Sequence, residues 1–291
     1  MPVHRPRQAQ RINQLFILIS ITVVFALYYL FFKSPPRDHA ISSTRQQPQP
    51  DSRKIAKASK ELVVASVKSD NISWIREEVP DWRAKVYVAD AGDAGEASKS
   101  GLSIPVNKGR EAMVYLTYII DHYDKLPDYM IFMHGQRYQW HNDDPIYDGA
   151  SIISKLRLES VSKAGYSPLR CSWVPGCPVE LHPLNPVDEG PIVRKQTELA
   201  FATVFRTFFP GIQVPAEVGA TCSSQFATTR EQVMLRPKAD YQRIRKWLVD
   251  TELPDDISGR IMEYMWHTLS QVFQLPVDSG WKCGGGHSNN E

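Results

Sequence analysis

Apolar positions form one long run near the start of the chain and shorter, periodic segments after it. Residues 15–32 carry no charge, and only Ser20 and Thr22 are polar, so the run is just long enough to span a bilayer. More basic residues precede the run than follow it, which places the N terminus in the cytosol. A cleaved signal peptide is the alternative, but aromatic residues end the run and suit a membrane interface, which favours an uncleaved anchor.

The segments after this run have the spacing of a folded body. Short apolar segments rich in β-branched or aromatic residues predict strands at 62–67, 85–89 and 129–133, and 225–230 is a further strand-like piece. Apolar residues at helical spacing predict helices at 111–123, 193–208, 238–249 and 258–273. This alternation predicts an α/β fold, a single Rossmann-like domain with a mostly parallel sheet, preceded by one N-terminal transmembrane helix.

The pattern also divides the chain into segments. Polar residues dominate between the anchor and the first strand, so this part cannot bury a core and is predicted to be a flexible stem. The predicted organisation is a cytosolic tail (1–14), an anchor (15–32), a stem (33–60), an α/β body (61–275) and a loose, glycine-rich tail (276–291). The chain is thus expected to be a single-pass type II protein of the Golgi or ER membrane with a lumenal body.

Composition limits which binding partners and which cellular compartment the sequence favours. The formal net charge is only +2, so no basic field favours nucleic acid. All four cysteines fall in the predicted body or its tail, and an even count in an oxidising compartment predicts disulfides. We expect a bridge from Cys171 to Cys177 across a Pro-Gly turn, with Cys222 and Cys283 as the residual pair; reduced core thiols are the alternative. The glycosylation sequon that begins at Asn71 fits a secretory route.

A basic, glycine-containing loop enters the first long helix. Asn107 is placed to cap that helix, and Gly109 lets backbone approach a ligand closely. Free N–H groups there, together with Lys108 and Arg110, would suit a diphosphate. An ordinary capped helix with a solvated basic start explains the same residues equally well.

Polar residues cluster directly after the third predicted strand. Imidazole and carboxylate groups suit Mn²⁺ or Mg²⁺, and adjacent carboxylates can bridge such an ion to a phosphate. A surface turn is the alternative, because Asp-Asp-Pro is also a common turn sequence. The predicted metal ligands are His134, His141, Asp143 and Asp144.

A second chemical candidate lies on the last long helix. Glu263 and His267 are four residues apart, so they share one face of that helix beside its apolar stripe. They are either a catalytic base with a metal or phosphate contact, or a surface Glu–His pair. No serine-hydrolase elbow, zincin, Walker or dinucleotide-binding motif is present in the sequence.

Several blocks in order resemble a known family. VVASVKSDNISWIREEVPDW, NKGREAMVYLTYIIDHYDKLPDYMIFMHG, QWHNDDPIYDG, GYSPLRCSWVPGCP, CSSQFATTR and EYMWHTLSQVF together resemble the fungal domain-of-unknown-function family 3431. The resemblance covers the body from Leu62 to Phe273. It implies membership of that family without implying an activity.

A second resemblance, to a family of enzymes, implies an activity. Part of the chain is similar to the core of rhamnan-synthesis-type GT-A glycosyltransferases. The similar features are Asn-x-Gly-Arg followed by an acidic residue, a helix with Tyr-Leu, and an apolar strand that ends in His. The acidic residue there is usually Asp, and here it is Glu111. In place of the Asp-x-Asp metal motif of such enzymes, this chain has His134-Gly135-Gln136.

The resemblance implies glycosyl transfer from a nucleotide sugar to a glycan or small-molecule acceptor. Lys108 and Arg110, with a metal held by the acidic cluster, would stabilise the leaving diphosphate. Glu263 would be the base and His267 a metal or phosphate contact. The alternatives are a non-catalytic, membrane-tethered accessory or binding protein, and a tailoring enzyme of fungal secondary metabolism.

Overall fold

The computed structural model describes residues 57–91, 102–187 and 190–269. The predicted cytosolic tail, the anchor at 15–32, most of the stem and the C-terminal tail therefore lie outside the described residues. Within the described ranges, no helix has the length and apolar composition needed to cross a bilayer.

A mixed sheet forms the centre of the body. The described strands are β1 (Lys60–Ser66), β2 (Arg83–Val88), β3 (Tyr129–His134), β4 (Tyr166–Pro168) and β5 (Phe226–Thr229). They pair in the order β2-β1-β3-β5-β4. β1 is parallel to β2 and β3, whereas β5 is antiparallel to both β3 and β4. The predicted α/β class is confirmed, and the parallel part of the sheet consists of β2, β1 and β3.

Helices cover both faces of this sheet. The long ones lie close to their predicted positions, and α2 continues into a 3₁₀ turn at Tyr123–Lys125. The described helices are α1 (Ser73–Glu78), α2 (Ala112–His122), α3 (Gly149–Lys155), α4 (Leu158–Ala164), α5 (Ile192–Phe208), α6 (Arg230–Met234), α7 (Lys238–Asp250) and α8 (Asp255–Leu269).

Alternating side chains of the strands divide the core into two layers. In β1, Val63 belongs to one apolar cluster, whereas its neighbours Leu62 and Val64 belong to the other. Phe132 and Ile131 of β3 divide in the same way. This is the period of two expected when both faces of a sheet are covered. The long helices α2, α5, α7 and α8 cover the first face, and the short helices α1, α3 and α4 cover the second.

Helix α2 is the most deeply buried helix of the first layer. Every residue from Ala112 to Ile120 is buried, and the helix packs against β1, α7 and α8. Its N terminus therefore meets the carboxyl end of the parallel strands, where β3 ends in His134 opposite Ala65 of β1. Ligands of open α/β sheets bind at this kind of edge.

Candidate functional site

His134 lies at the end of β3 and is held on both sides. Its Nε2 is 3.8 Å from Oε2 of Glu111, the residue that precedes α2. Its Nδ1 is 2.9 Å from Oε1 of Gln139, and its backbone N–H donates to Oε1 of Gln225 over 3.2 Å. The imidazole is thus fixed between the start of α2 and the loop that follows β3.

A second histidine of that loop lies beside the first. The rings of His134 and His141 are 5.2 Å apart, and Nδ1 of His141 is 3.2 Å from the same oxygen of Gln139. Burial lowers the pKa of His141 to about 4, and electrostatic interactions with His134, Arg170, Arg260 and Arg110 act in the same direction. His141 is therefore neutral at pH 7, and arginines surround it.

Arg110 reaches this place through an unusual backbone. It is a non-glycine residue with φ of 56°, directly after Gly109 with φ of 68°. Its side chain lies along α8, because a Cβ added to Gly259 would come 3.0 Å from Cδ of Arg110. A left-handed non-glycine residue costs on the order of 1–3 kcal/mol and marks functional sites more often than others. Arg110 is exposed, so its guanidinium is open to a ligand.

The other residues of the predicted diphosphate loop have structural contacts. Lys108 donates to the Thr251 carbonyl at the end of α7, and the N–H of Gly109 donates to Asp255 Oδ1 over 3.2 Å. Asn107 is exposed and does not cap α2, whose N-cap position is Glu111. Of the four predicted residues, Arg110 is the one whose charge contributes to the lowered pKa of His141.

Helix α8 contributes a carboxyl, a guanidinium and a neighbouring thiol. Arg260 lies 3.3 Å from Glu263 Oε2 and donates to Sγ of Cys222 over 3.3 Å. Burial raises the pKa of Glu263 to about 7; Arg260 opposes the shift and Glu111 adds to it. Only 13% of the Glu263 side chain is exposed. A carboxyl with a pKa near neutrality can accept or donate a proton under physiological conditions.

These groups define one candidate site, which we call the arginine–histidine cluster. It is built from the N terminus of α2, the end of β3 with its following loop, and one face of α8. The cluster comprises Arg110, Glu111, His134, His141, Arg260 and Glu263. It combines two cationic groups, two imidazoles and two carboxyls, which suits an anionic ligand and a proton transfer.

The predicted metal ligands do not come together as a set. Oδ2 of Asp143 accepts hydrogen bonds from the backbone N–H groups of Cys171 and Ser172, at 2.9 and 2.7 Å. Asp144 accepts from Ser151 at 2.7 Å and pairs with Lys155 at 3.2 Å, and the Ser151 bond is the main cause that lowers its pKa to about 2. Both carboxylates thus hold loops in place. No group of three or more His, Cys, Asp or Glu within the described ranges is arranged to hold a metal ion.

His267, the other predicted residue of α8, lies one turn beyond Glu263. Burial lowers its pKa to about 4, so it is neutral at pH 7. It contributes no charge to the cluster at that pH, in contrast to Arg260, which precedes Glu263 on the same helix face.

Sequence reasoning missed four residues that shape the site, namely Gln139, Arg170, Cys222 and Arg260. Arg260 carried a usable signal, because it stands three residues before Glu263 and so shares its helix face. Arg170 donates to the carbonyls of Trp140 and Val174, and this contact joins segments far apart in the sequence. No local sequence pattern predicts such a contact.

The expected disulfide pairing of the cysteines is wrong. Cys171 and Cys222 are free thiols, so neither the Cys171–Cys177 bridge nor the Cys222–Cys283 bridge is formed. The thiol of Cys222 is buried and accepts a hydrogen bond from Arg260 of the site. The backbone N–H groups of Cys171 and Ser172 donate to Oδ2 of Asp143, which holds this end of the turn.

Comparison with known proteins gives a family and no activity. No curated protein and no solved structure matches the chain. The expected similarity to glycosyltransferases therefore gains no support from a relative. One family model matches residues 62–283, which is most of the chain and contains every residue of the arginine–histidine cluster. The chain belongs to the family described as "Protein of unknown function (DUF3431)".

Proposed function

We propose that this protein is a glycosyltransferase that moves a sugar from a nucleotide-diphosphate donor to a hydroxyl acceptor. The observation that carries the proposal is Glu263, a carboxyl with a pKa of about 7 next to Arg260 and within the field of Arg110. A base with a pKa near the working pH and guanidinium groups for a diphosphate are the two elements that such a transfer requires.

Each group has one role in the proposed transfer. Glu263, in its carboxylate form, takes the proton of the acceptor hydroxyl. The acceptor oxygen then bonds to the anomeric carbon as the bond from that carbon to the diphosphate oxygen breaks. The diphosphate leaves with the bonding electrons, and the guanidinium groups of Arg110 and Arg260 stabilise its negative charge.

The metal ion expected from the sequence does not fit the residues present. The two carboxylates assigned to it, Asp143 and Asp144, accept hydrogen bonds from backbone and serine donors. We therefore assign no step to Mn²⁺ or Mg²⁺, and the proposed charge stabilisation rests on the arginines. The accompanying proposal on location is a type II anchor at 15–32 with the body in the lumen of the Golgi or ER.

Ligand-dependent melting tests the proposal. Detergent-solubilised full-length protein is heated with UDP-glucose, GDP-mannose and related nucleotide sugars, each with and without Mn²⁺. A ligand present at about a hundred times its Kd should raise the melting temperature by roughly 5 °C or more, because it stabilises the folded state by about 2.7 kcal/mol. Arg110→Ala should remove most of this shift. Arg206→Ala, on the exposed face of α5, is the matched control and should keep it.

Two results would contradict the proposal. If no nucleotide sugar shifts the melting temperature, the donor class is wrong. If a nucleotide sugar binds but no acceptor receives its sugar, the protein is a binding or accessory protein rather than an enzyme.

A further inference from the structure

Gln139 lies between the two histidines of the cluster and contacts both with one atom. Its Oε1 is 2.9 Å from Nδ1 of His134 and 3.2 Å from Nδ1 of His141. Its Nε2 donates to Oε1 of Gln136 over 3.2 Å. The second contact fixes the orientation of the carboxamide, because the nitrogen faces Gln136 and the oxygen faces the imidazoles.

This arrangement determines where the protons of both rings lie. A carboxamide oxygen only accepts hydrogen bonds, so each Nδ1 must carry a proton and donate it. In a neutral imidazole the other nitrogen is then an acceptor. When both imidazoles are neutral, both Nε2 atoms therefore present lone pairs, and one glutamine sets this tautomer for both histidines.

Among the described residues, no hydrogen-bond donor contacts the Nε2 lone pair of either histidine. Nε2 of His134 faces the Glu111 carboxylate at 3.8 Å, which is beyond hydrogen-bond distance. Two acceptors that face each other at this separation are favourable only if a donor group lies between them. The ring of His141 lies 5.2 Å from that of His134, so its Nε2 adds a further acceptor close to the first.

We infer that His134 and His141 form a pair of hydrogen-bond acceptors for the hydroxyl groups of a sugar, and that Gln139 is the positioning residue that keeps them in this state. The sugar is identified as part of a nucleotide sugar only through the function proposed above. A polyhydroxylated ring supplies several donors within a few ångströms of one another, which matches two imidazoles and a carboxylate set side by side. The arginines Arg110 and Arg260 would hold the anionic part of the same ligand.

The proton positions can be measured without any ligand. Full-length protein with ¹⁵N-labelled histidine is studied by long-range ¹H–¹⁵N NMR at pH 8, where histidines with ordinary pKa values are neutral. His134→Gln and His141→Gln assign the signals. We expect a protonated Nδ1 and an unprotonated Nε2 for both rings. Gln139→Ala should give mixed tautomers, whereas Gln139→Glu, which keeps the acceptor oxygen, should keep Nδ1 protonated. A protonated Nε2 on either ring of the unmodified protein would overturn the inference.

Calorimetry then tests the ligand. UDP-glucose and GDP-mannose are compared with UDP and GDP on the unmodified protein and on Gln139→Ala. We expect Gln139→Ala to weaken binding of the nucleotide sugar by about tenfold, which is the effect of a lost hydrogen bond. Binding of the parent nucleotide should weaken by less than twofold. Equal weakening of both would overturn the sugar assignment. If neither nucleotide sugar binds the unmodified protein, the proposed function fails, while the NMR result still decides whether the acceptor pair exists.

Discussion

At the scale of single residues, Glu263 has the most altered proton affinity among the carboxyls of the site. Burial on the inner part of α8 disfavours its charged form and outweighs the opposing effect of Arg260, and Glu111 adds a smaller contribution in the direction of burial. Its pKa of about 7 lies well above the ordinary value of 4.5. A structural carboxylate is usually stabilised in its charged form by its partners, as Asp144 is. The opposite shift at Glu263 suits a proton acceptor.

Replacing Glu263 by Gln should separate activity from stability. The variant should lose transfer activity by roughly a hundredfold or more, because the general base is gone. In the unmodified protein the folded state keeps a proton that the unfolded chain releases, so stability falls as pH rises from about 4.5 to about 7. Glu263→Gln should lack that fall.

Urea unfolding at pH 4, 6 and 8 measures this difference. The variant should gain stability relative to the unmodified protein as pH rises, by up to about 3 kcal/mol. An unchanged difference between pH 4 and pH 8 would show that the carboxyl titrates normally. Glu77→Gln on α1 is the control, because Glu77 is exposed and lies outside the cluster.

The two free thiols differ in exposure and should differ in reactivity. Cys171 is exposed, whereas Cys222 is buried beside Arg260. Iodoacetamide at pH 8 should therefore label Cys171 in the folded protein and Cys222 only after unfolding, as measured by mass spectrometry with a second, isotopically heavy label. Protection of Cys171 from both labels until reduction would instead mean that it forms a disulfide.

At the scale of elements, helix α8 carries much of the site on one face. Arg260 and Glu263 are three residues apart, and Gly259 provides the space that the Arg110 side chain occupies. Because Gly259 sits inside the helix, Ala there would normally stabilise the fold by roughly 0.5–1 kcal/mol. The glycine is therefore unfavourable for helix stability and is explained by the close approach of Arg110.

Gly259→Ala should consequently improve or preserve stability while it impairs ligand binding. The new Cβ would lie 3.0 to 3.3 Å from Cδ, Cγ and Cβ of Arg110, so a small shift of the Arg110 side chain is enough to accommodate it. The melting temperature should not fall, but the ligand-induced shift should be reduced as in Arg110→Ala. The double variant should bind no worse than Arg110→Ala alone, because both changes act through one guanidinium. Additive losses would mean that Gly259 acts by another route.

The elements also show how far sequence patterns reach. The long helices α2, α5, α7 and α8 and the strands β1, β2 and β3 were predictable because each covers a full period of its apolar pattern. The short helices were not, since five to seven residues such as Arg230–Met234 span too few turns to show a period. The direction of β5 was also not predictable, because strand patterning contains no information about whether neighbours run parallel.

At the scale of the whole molecule, part of the site followed from topology alone. The start of α2 and the carboxyl ends of β1 and β3 lie at one edge of the sheet, where Glu111 contacts His134 and contributes to the raised pKa of Glu263. The hydrogen bonds of Asp143 and Asp144 could not be predicted from the sequence for a physical reason. Their partners are backbone N–H groups and serine hydroxyls, which the side-chain sequence does not locate.

The orientation of the chain across a membrane is the remaining whole-molecule prediction. With the anchor at 15–32 and a cytosolic N terminus, the body enters the lumen, where Asn71 becomes a glycosylation acceptor. Asn71 is exposed just before α1, so the host oligosaccharyltransferase that modifies such sequons can reach it. Full-length protein made in a eukaryotic secretory system should therefore shift to lower mass on deglycosylation, and its body should resist protease in intact microsomes.

Two matched variants make this test specific to the sequon. The Asn71 side-chain oxygen accepts from the backbone N–H of Ser73 over 3.0 Å, so Asn71→Gln removes both the acceptor and this turn contact. Ser73→Ala keeps the backbone contact and removes only the hydroxyl that the sequon requires. Both variants should lack the glycan, and Ser73→Ala should keep the melting temperature of the unglycosylated protein. A body that is unglycosylated and digested by protease without detergent would place it in the cytosol. That result would reject the lumenal orientation while leaving the arginine–histidine cluster and its tests unaffected.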